Sequence, residues 1–158
     1  MKHPYWWLRA TLGYWLARRL LQWQWLVRQP RAWRWMEGQF ARMAALGNPA
    51  AQDFYGHLLL FRGQGLGARE EGLRLLRLAA DAGQAKAAFQ LGVQALREDG
   101  LHPADPGEAR RRWEQAAAAG HPLAAHRLAG LLASGAPGLP ADPQAAEHYA
   151  ALARRHGL

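Results

Sequence analysis

The sequence predicts an all-α fold, a solenoid of helix-turn-helix repeats preceded by a Trp/Arg-rich helical cap. Three observations carry this expectation. Isoleucine is absent and valine occurs only as Val27 and Val93, whereas strands favour branched and aromatic side chains on a pleated surface. Alanine, leucine, arginine and glycine dominate the 158 residues, a globular and helix-compatible composition. Finally, Gly47, Gly83, Gly120 and Gly157 stand 36, 37 and 37 residues apart, a period that marks stacked repeats.

Each glycine closes an apolar or alanine-rich run: Met-Ala-Ala-Leu-Gly at 43–47, Ala-Ala-Asp-Ala-Gly at 79–83, Ala-Ala-Ala-Ala-Gly at 116–120, and the degenerate Ala-Arg-Arg-His-Gly at 153–157. Glycine just past a helix suits the left-handed residue that ends it. Asn48-Pro49 and His121-Pro122 then put proline at a first helical position, where its missing N–H costs nothing. A second start lies inside the later units. Asp105 with Glu108 reads as a reciprocal capping box, and Asp142-Pro143 follows 37 residues on. Ala68 occupies the matching place in the first unit, which lacks the cap. The expected helices are 49–61 and 69–82, 85–98 and 106–119, 122–134 and 143–156. Gly56, Gly92 and Ala129 align across the units, and small residues in register point to close helix–helix approach.

These residues resemble the Sel-one-like repeat family, a relative of the tetratricopeptide repeat. Residues 84–120 carry the pattern best, with Ala87, Leu91, Gly92, Asp105, Ala109, Trp113, Ala116, Ala117 and Gly120. Residues 121–157 keep Ala124, Leu128, Asp142, Ala146, Tyr149 and Gly157, with Ala129 in place of the glycine. Residues 48–83 keep Tyr55, Gly56, Gly63, Gly65, Ala79, Ala80 and Gly83, with Gly72 where alanine is usual. The organisation expected is an aromatic, basic segment 1–47, which could hold a degenerate repeat, and three repeats over 48–158. The resemblance implies a right-handed α-α superhelix whose first helices line a concave face. It also implies a protein–protein scaffold or regulatory adaptor.

On the first helices, Phe54, Gln90 and Arg127 share one register position, with His57, Lys86, Gln94 and Arg97 as helical neighbours. They form a candidate groove for an acidic or amide-rich peptide; the alternative is an ordinary solvated helix face.

Residues 1–47 hold eight Lys or Arg against Glu37, and seven of the eight tryptophans lie in the first 35 residues. Arginine-over-lysine bias fits a high-GC bacterial genome and raises the isoelectric point whether or not a partner requires it. Arg9, Arg18, Arg19 and Arg28 break the apolar runs, so neither a membrane span nor a signal peptide is expected, and the chain is expected in the cytoplasm. Three readings of the segment stand. It caps the array with buried tryptophans, and residues 36–46 form a second helix for which Leu12-Gly13 would start the first. Or it lies on the inner face of a membrane, with Trp7, Tyr14, Leu21 and Trp25 on one line and Trp15 close by. Or it binds nucleic acid, the least favoured reading because no known fold for it is present. Trp6, Trp7, Arg9, Trp15, Arg18 and Arg19 are the candidate membrane or partner contacts. Self-association is compatible with each reading.

Nothing points to catalysis. The seven histidines show no metal-ligand spacing, the single serine (Ser134) and threonine (Thr11) sit in no nucleophile motif, and cysteine is absent. Gly63-Gln64-Gly65-Leu66-Gly67 lacks the lysine of a phosphate loop. No metal or cofactor is expected.

Overall fold

A computed structural model describes residues 4–98 and 102–157, together with the side chains of these residues except Pro4, Trp6 and Trp7. Among the described residues the chain is all-α. Its elements are α1 (Pro4–Leu20), α2 (Gln24–Val27), α3 (Pro30–Ala45), α4 (Pro49–Arg62), α5 (Gly65–Asp81), α6 (Ala85–Ala95), α7 (Pro106–Ala118), α8 (Pro122–Ser134) and α9 (Pro143–Arg155). The architecture is that of a helical repeat protein, consistent with a solenoid of helix-turn-helix units; in the connection after α8 an isolated bridge pairs Ala136 with Leu139. The chain divides into two compact units, Met1–Leu75 and Leu76–Leu158.

The closing glycines do what their rhythm predicts. Gly47, Gly83, Gly120 and Gly157 all have positive φ, between 82° and 92°, a region in which a Cβ would clash. At the first three, the glycine N–H and the next N–H reach back to paired carbonyls: Gly47 to Ala44 and Asn48 to Met43, Gly83 to Ala80 and Gln84 to Ala79, Gly120 to Ala117 and His121 to Ala116. This pair of hydrogen bonds satisfies carbonyls that the helix end leaves open. The following helices start on side-chain caps. Asn48 Oδ1 accepts from the Ala51 N–H at 2.9 Å, and His121 Nδ1 accepts from the Ala124 N–H at 3.3 Å.

Asp105 and Asp142 repeat a second device. Each carboxylate caps its helix, accepting from the N–H of Glu108 and Ala145 respectively. Each backbone N–H turns back to the preceding helix, Asp105 to the Ala95 carbonyl at 2.7 Å and Asp142 to that of Leu132 at 2.8 Å. The expected reciprocal half of the capping box is therefore not made. The Asp105 N–H is already used, and the Glu108 carboxylate binds Arg111 and Arg112 instead. Without an Asp cap, the first repeat also departs from expectation. α5 begins at Gly65, four residues early, and the connection shrinks to Gly63-Gln64.

In the first unit, α1 packs on α3 and α3 on α4. Ala17, Met36 and Phe40 form one buried group against Tyr14, Trp33, Phe54 and Leu58; Ala10, Met43, Ala44, Ala51, Leu59 and Leu75 form another. Phe40 meets Tyr14 and Phe54 edge-on, at 6.0 and 4.9 Å between ring centroids, the geometry that aromatic quadrupoles favour. Gly72 earns its departure from alanine: a Cβ there would lie 2.9 Å from the Gly56 carbonyl oxygen, so α4 and α5 approach backbone to backbone.

In the second unit the core is mostly alanine, with Leu76, Leu91, Trp113, Leu128, Leu132 and Leu139 as its large members. Trp113 lies against Gly92, where an added Cβ would fall well inside the indole, and its Nε1 donates to the Phe89 carbonyl at 3.1 Å. Buried Arg112 joins successive hairpins through Glu108 at 2.8 Å and Asp81 at 3.2 Å, and Gln115 donates to the Ala80 carbonyl at 2.7 Å. Burial pushes the Glu108 carboxyl up, but the hydrogen bonds from Arg112 and Arg111 outweigh it and hold the group below its ordinary range.

Candidate partner-binding surfaces

The seven groove candidates fall in both units, Phe54 and His57 in the first and the other five in the second. Phe54 is half-buried: Phe40 packs on one side and the Arg18 guanidinium sits 5.1 Å from its ring. His57 is also half-buried. Its Nδ1 faces two acceptors, the Asp53 carbonyl at 2.8 Å and the Asp53 carboxylate at 3.2 Å, so that nitrogen carries the proton. Phe61 stacks on the imidazole.

In the second unit the five separate by depth. Gln90 and Gln94 are buried within α6, whereas Lys86, Arg97 and Arg127 are exposed. Lys86 and Arg127 take part in no ion pair among the described residues, unlike the arginines of α7, each of which is matched to a glutamate. Leu123 and His126, exposed beside Arg127 on α8, extend this surface. Neither is among the candidate groove residues, although Leu123 holds the register of Lys86 one repeat on. His121, which caps α8, stacks on Phe89 with 4.6 Å between centroids. Burial, then the nearby Lys86 charge, push its pKa down, so the neutral ring that accepts from Ala124 is the favoured form.

The aromatic N-terminal segment differs from its expected layout. α1 ends at Leu20 and α2 begins at Gln24, so Trp7, Tyr14, Leu21 and Trp25 do not share one continuous helix. Tyr14 and Leu21, half of the proposed membrane line, pack inward against the Phe40 group. Among the described tryptophan side chains, the burial expected of a cap is not found at four: Trp15, Trp23, Trp25 and Trp35 are exposed, while Trp33 is half-buried beneath the Arg62 guanidinium at 4.8 Å. Of the contact candidates, Arg9, Trp15, Arg18 and Arg19 are exposed; the side chains of Trp6 and Trp7 lie outside the described residues. Arg18 also donates to the Tyr14 hydroxyl at 3.2 Å.

What turns α1 is its small residues. Ala10, Gly13 and Ala17, spaced as one helical face, sit toward α3, with Gly13 against the end of Gln39. The opposite face carries Tyr5, Leu8, Leu12, Trp15 and Leu16, all exposed. The Ala-x-x-Gly-x-x-x-Ala spacing was the signal available in the sequence, since small side chains admit a neighbouring helix.

Among the described residues no group of three His, Cys, Asp or Glu could hold a metal ion, and no described helix is long and apolar enough to cross a membrane.

No family model matches the sequence, and no curated protein matches it. Fourteen solved chains are similar in structure. A Sel1 repeat protein from Oxalobacter formigenes superposes with a TM-score of 0.64 at 28% identity, over 75% of this chain and 88% of its own. A protective antigen of uropathogenic Escherichia coli displaying an SLR fold gives a TM-score of 0.66 at 22% identity, over 78% of this chain. This chain spans only 26% of that antigen's length. With the glycine rhythm, the Asp caps and the paired helices already in place, the chain is an all-α repeat protein homologous to proteins of the Sel1-like repeat fold.

Proposed function

We propose that the chain is a protein–protein interaction scaffold whose second unit holds an acidic segment of a partner. The single observation that carries this reading is the uncompensated basic surface of the first helices. Lys86 and Arg127 hold the same face one repeat apart and have no carboxylate partner among the described residues, while Gln90 and Gln94 are buried within α6. The fold supports the reading by analogy, because stacked hairpins present extended surfaces suited to extended ligands. Exposed cations steer acidic partners and set salt dependence more than they set affinity. Arg97 would reach the same ligand from the end of α6.

An array of acidic, neutral and basic peptides probed with the full chain tests this. Retention should be confined to acidic peptides and fall about tenfold in the double variant Lys86→Glu, Arg127→Glu, because two attractive pairs become repulsive. Retention that ignores peptide charge, or survives the double variant, would overturn the proposal.

A further inference from the structure

We infer that the outward face of α1 docks flat on an anionic lipid surface. Tyr5, Leu8, Leu12, Trp15 and Leu16 fall within an arc of about 100° on the helix, and each is between 43% and 84% exposed. A soluble helix ordinarily turns such a stripe inward, yet here the inward face is already filled by Ala10, Gly13, Tyr14 and Ala17. Leu8 and Leu12 at the centre, with Trp15 on one side and Tyr5 and Leu16 on the other, match the depth profile of a bilayer boundary, where aromatic rings sit at the headgroups and aliphatic chains reach the acyl layer.

Charge selects the occupant. Arg9 borders the stripe and Arg19 lies at its C-terminal end, both exposed, with long stems that let the guanidinium rise to phosphate level. Before Glu37 the sequence holds no acid. A second copy meeting this face about a two-fold axis would set arginine against arginine with no carboxylate to relieve them. A lipid phosphate layer supplies the missing sign. Seventeen residues containing Arg9, Arg18 and Arg19 cannot span a bilayer, so the helix lies in the interface plane.

The test is co-sedimentation of the full chain with phosphatidylcholine vesicles, with and without phosphatidylglycerol as a minor component. Pelleting should require phosphatidylglycerol and weaken with salt. Partitioning should fall about tenfold or more in Leu12→Glu with Trp15→Glu, and comparably in Arg9→Glu with Arg19→Glu. These side chains are exposed, so helical circular dichroism should be unchanged. Independently of any variant, tryptophan fluorescence of the native chain should shift to the blue and be quenched by lipids brominated near the headgroup. Equal, negligible pelleting with both vesicle types overturns the inference. So does a dimer that the stripe variants dissociate in sedimentation equilibrium without lipid binding, or tight binding to single-stranded RNA in place of lipid.

Discussion

Trp113 and Trp15 are the same side chain near the middle of a helix, yet one is 3% exposed and the other 64%. The difference lies in the opposing position. Across from Trp113 stands Gly92, and the missing Cβ opens a slot that the indole fills, its N–H reaching the Phe89 carbonyl. In the first unit the matching place in the pattern is taken by Phe40, which clusters with Tyr14 and Phe54 instead. An indole is buried only where a neighbouring helix leaves room for it and an acceptor for its N–H.

Truncation should separate the two most widely. Trp113→Ala is expected to cost about 3–5 kcal/mol, since it empties a close-packed slot, whereas Trp15→Ala should fall within about 0.5 kcal/mol of the native chain. Urea melts followed by circular dichroism would decide it, and equal losses would mean that the stripe on α1 is packed in solution.

A smaller contrast sharpens the point at the glycines. Leu91-Gly92 and Leu12-Gly13 look alike in sequence, but a Cβ on Gly92 would strike a wedged indole and one on Gly13 only the end of Gln39. Gly92→Ala should therefore cost about 1–3 kcal/mol through overpacking. Gly13→Ala should be near neutral, because Gln39 can swing aside and alanine regains about 1 kcal/mol of helix propensity. A comparable cost at both sites in the same melts would show that α1 is held as rigidly as α6.

The smallest expected effect is at His121. Its folded-state pKa is depressed, so the unfolded chain binds the proton more readily. Stability is then fully present above the ordinary imidazole range and is lost as pH falls from about 6.5 through the lowered value. His121→Asn keeps a capping acceptor without a titrating ring, so its thermal midpoint should fall less than the native one over that window. Parallel curves would show that the cap does not depend on the neutral ring.

These contrasts also show what the sequence could reveal. The closing glycines, Asn48, Asp105, Asp142 and the prolines after them act through backbone within a few residues, so their spacing predicts helix ends closely. α5 began early because no local cap marked its start. The burial of Gln90 and Gln94 and the orientation of α1 depend on neighbours distant in sequence. α1 is apolar around most of its circumference, so periodicity alone could not choose a face; only Ala10, Gly13 and Ala17 could. The basic character of the surface was legible from Lys86 and Arg127, but which arginines were already matched, as Arg110, Arg111 and Arg112 are, was not.

The doubled use of Asp105 and Asp142 has a consequence for how such chains diversify. Residues 96–102 and 133–139 share no identical position, yet the Pro-Ala that follows brings both stretches to the same latch, 37 residues apart. Each aspartate pins the end of its connection twice, through its own N–H and its own carboxylate. What lies between can drift or lengthen at small entropic cost, about 0.6 kcal/mol for each doubling. These connections are where a foreign peptide could be spliced in while the helices on either side keep their register.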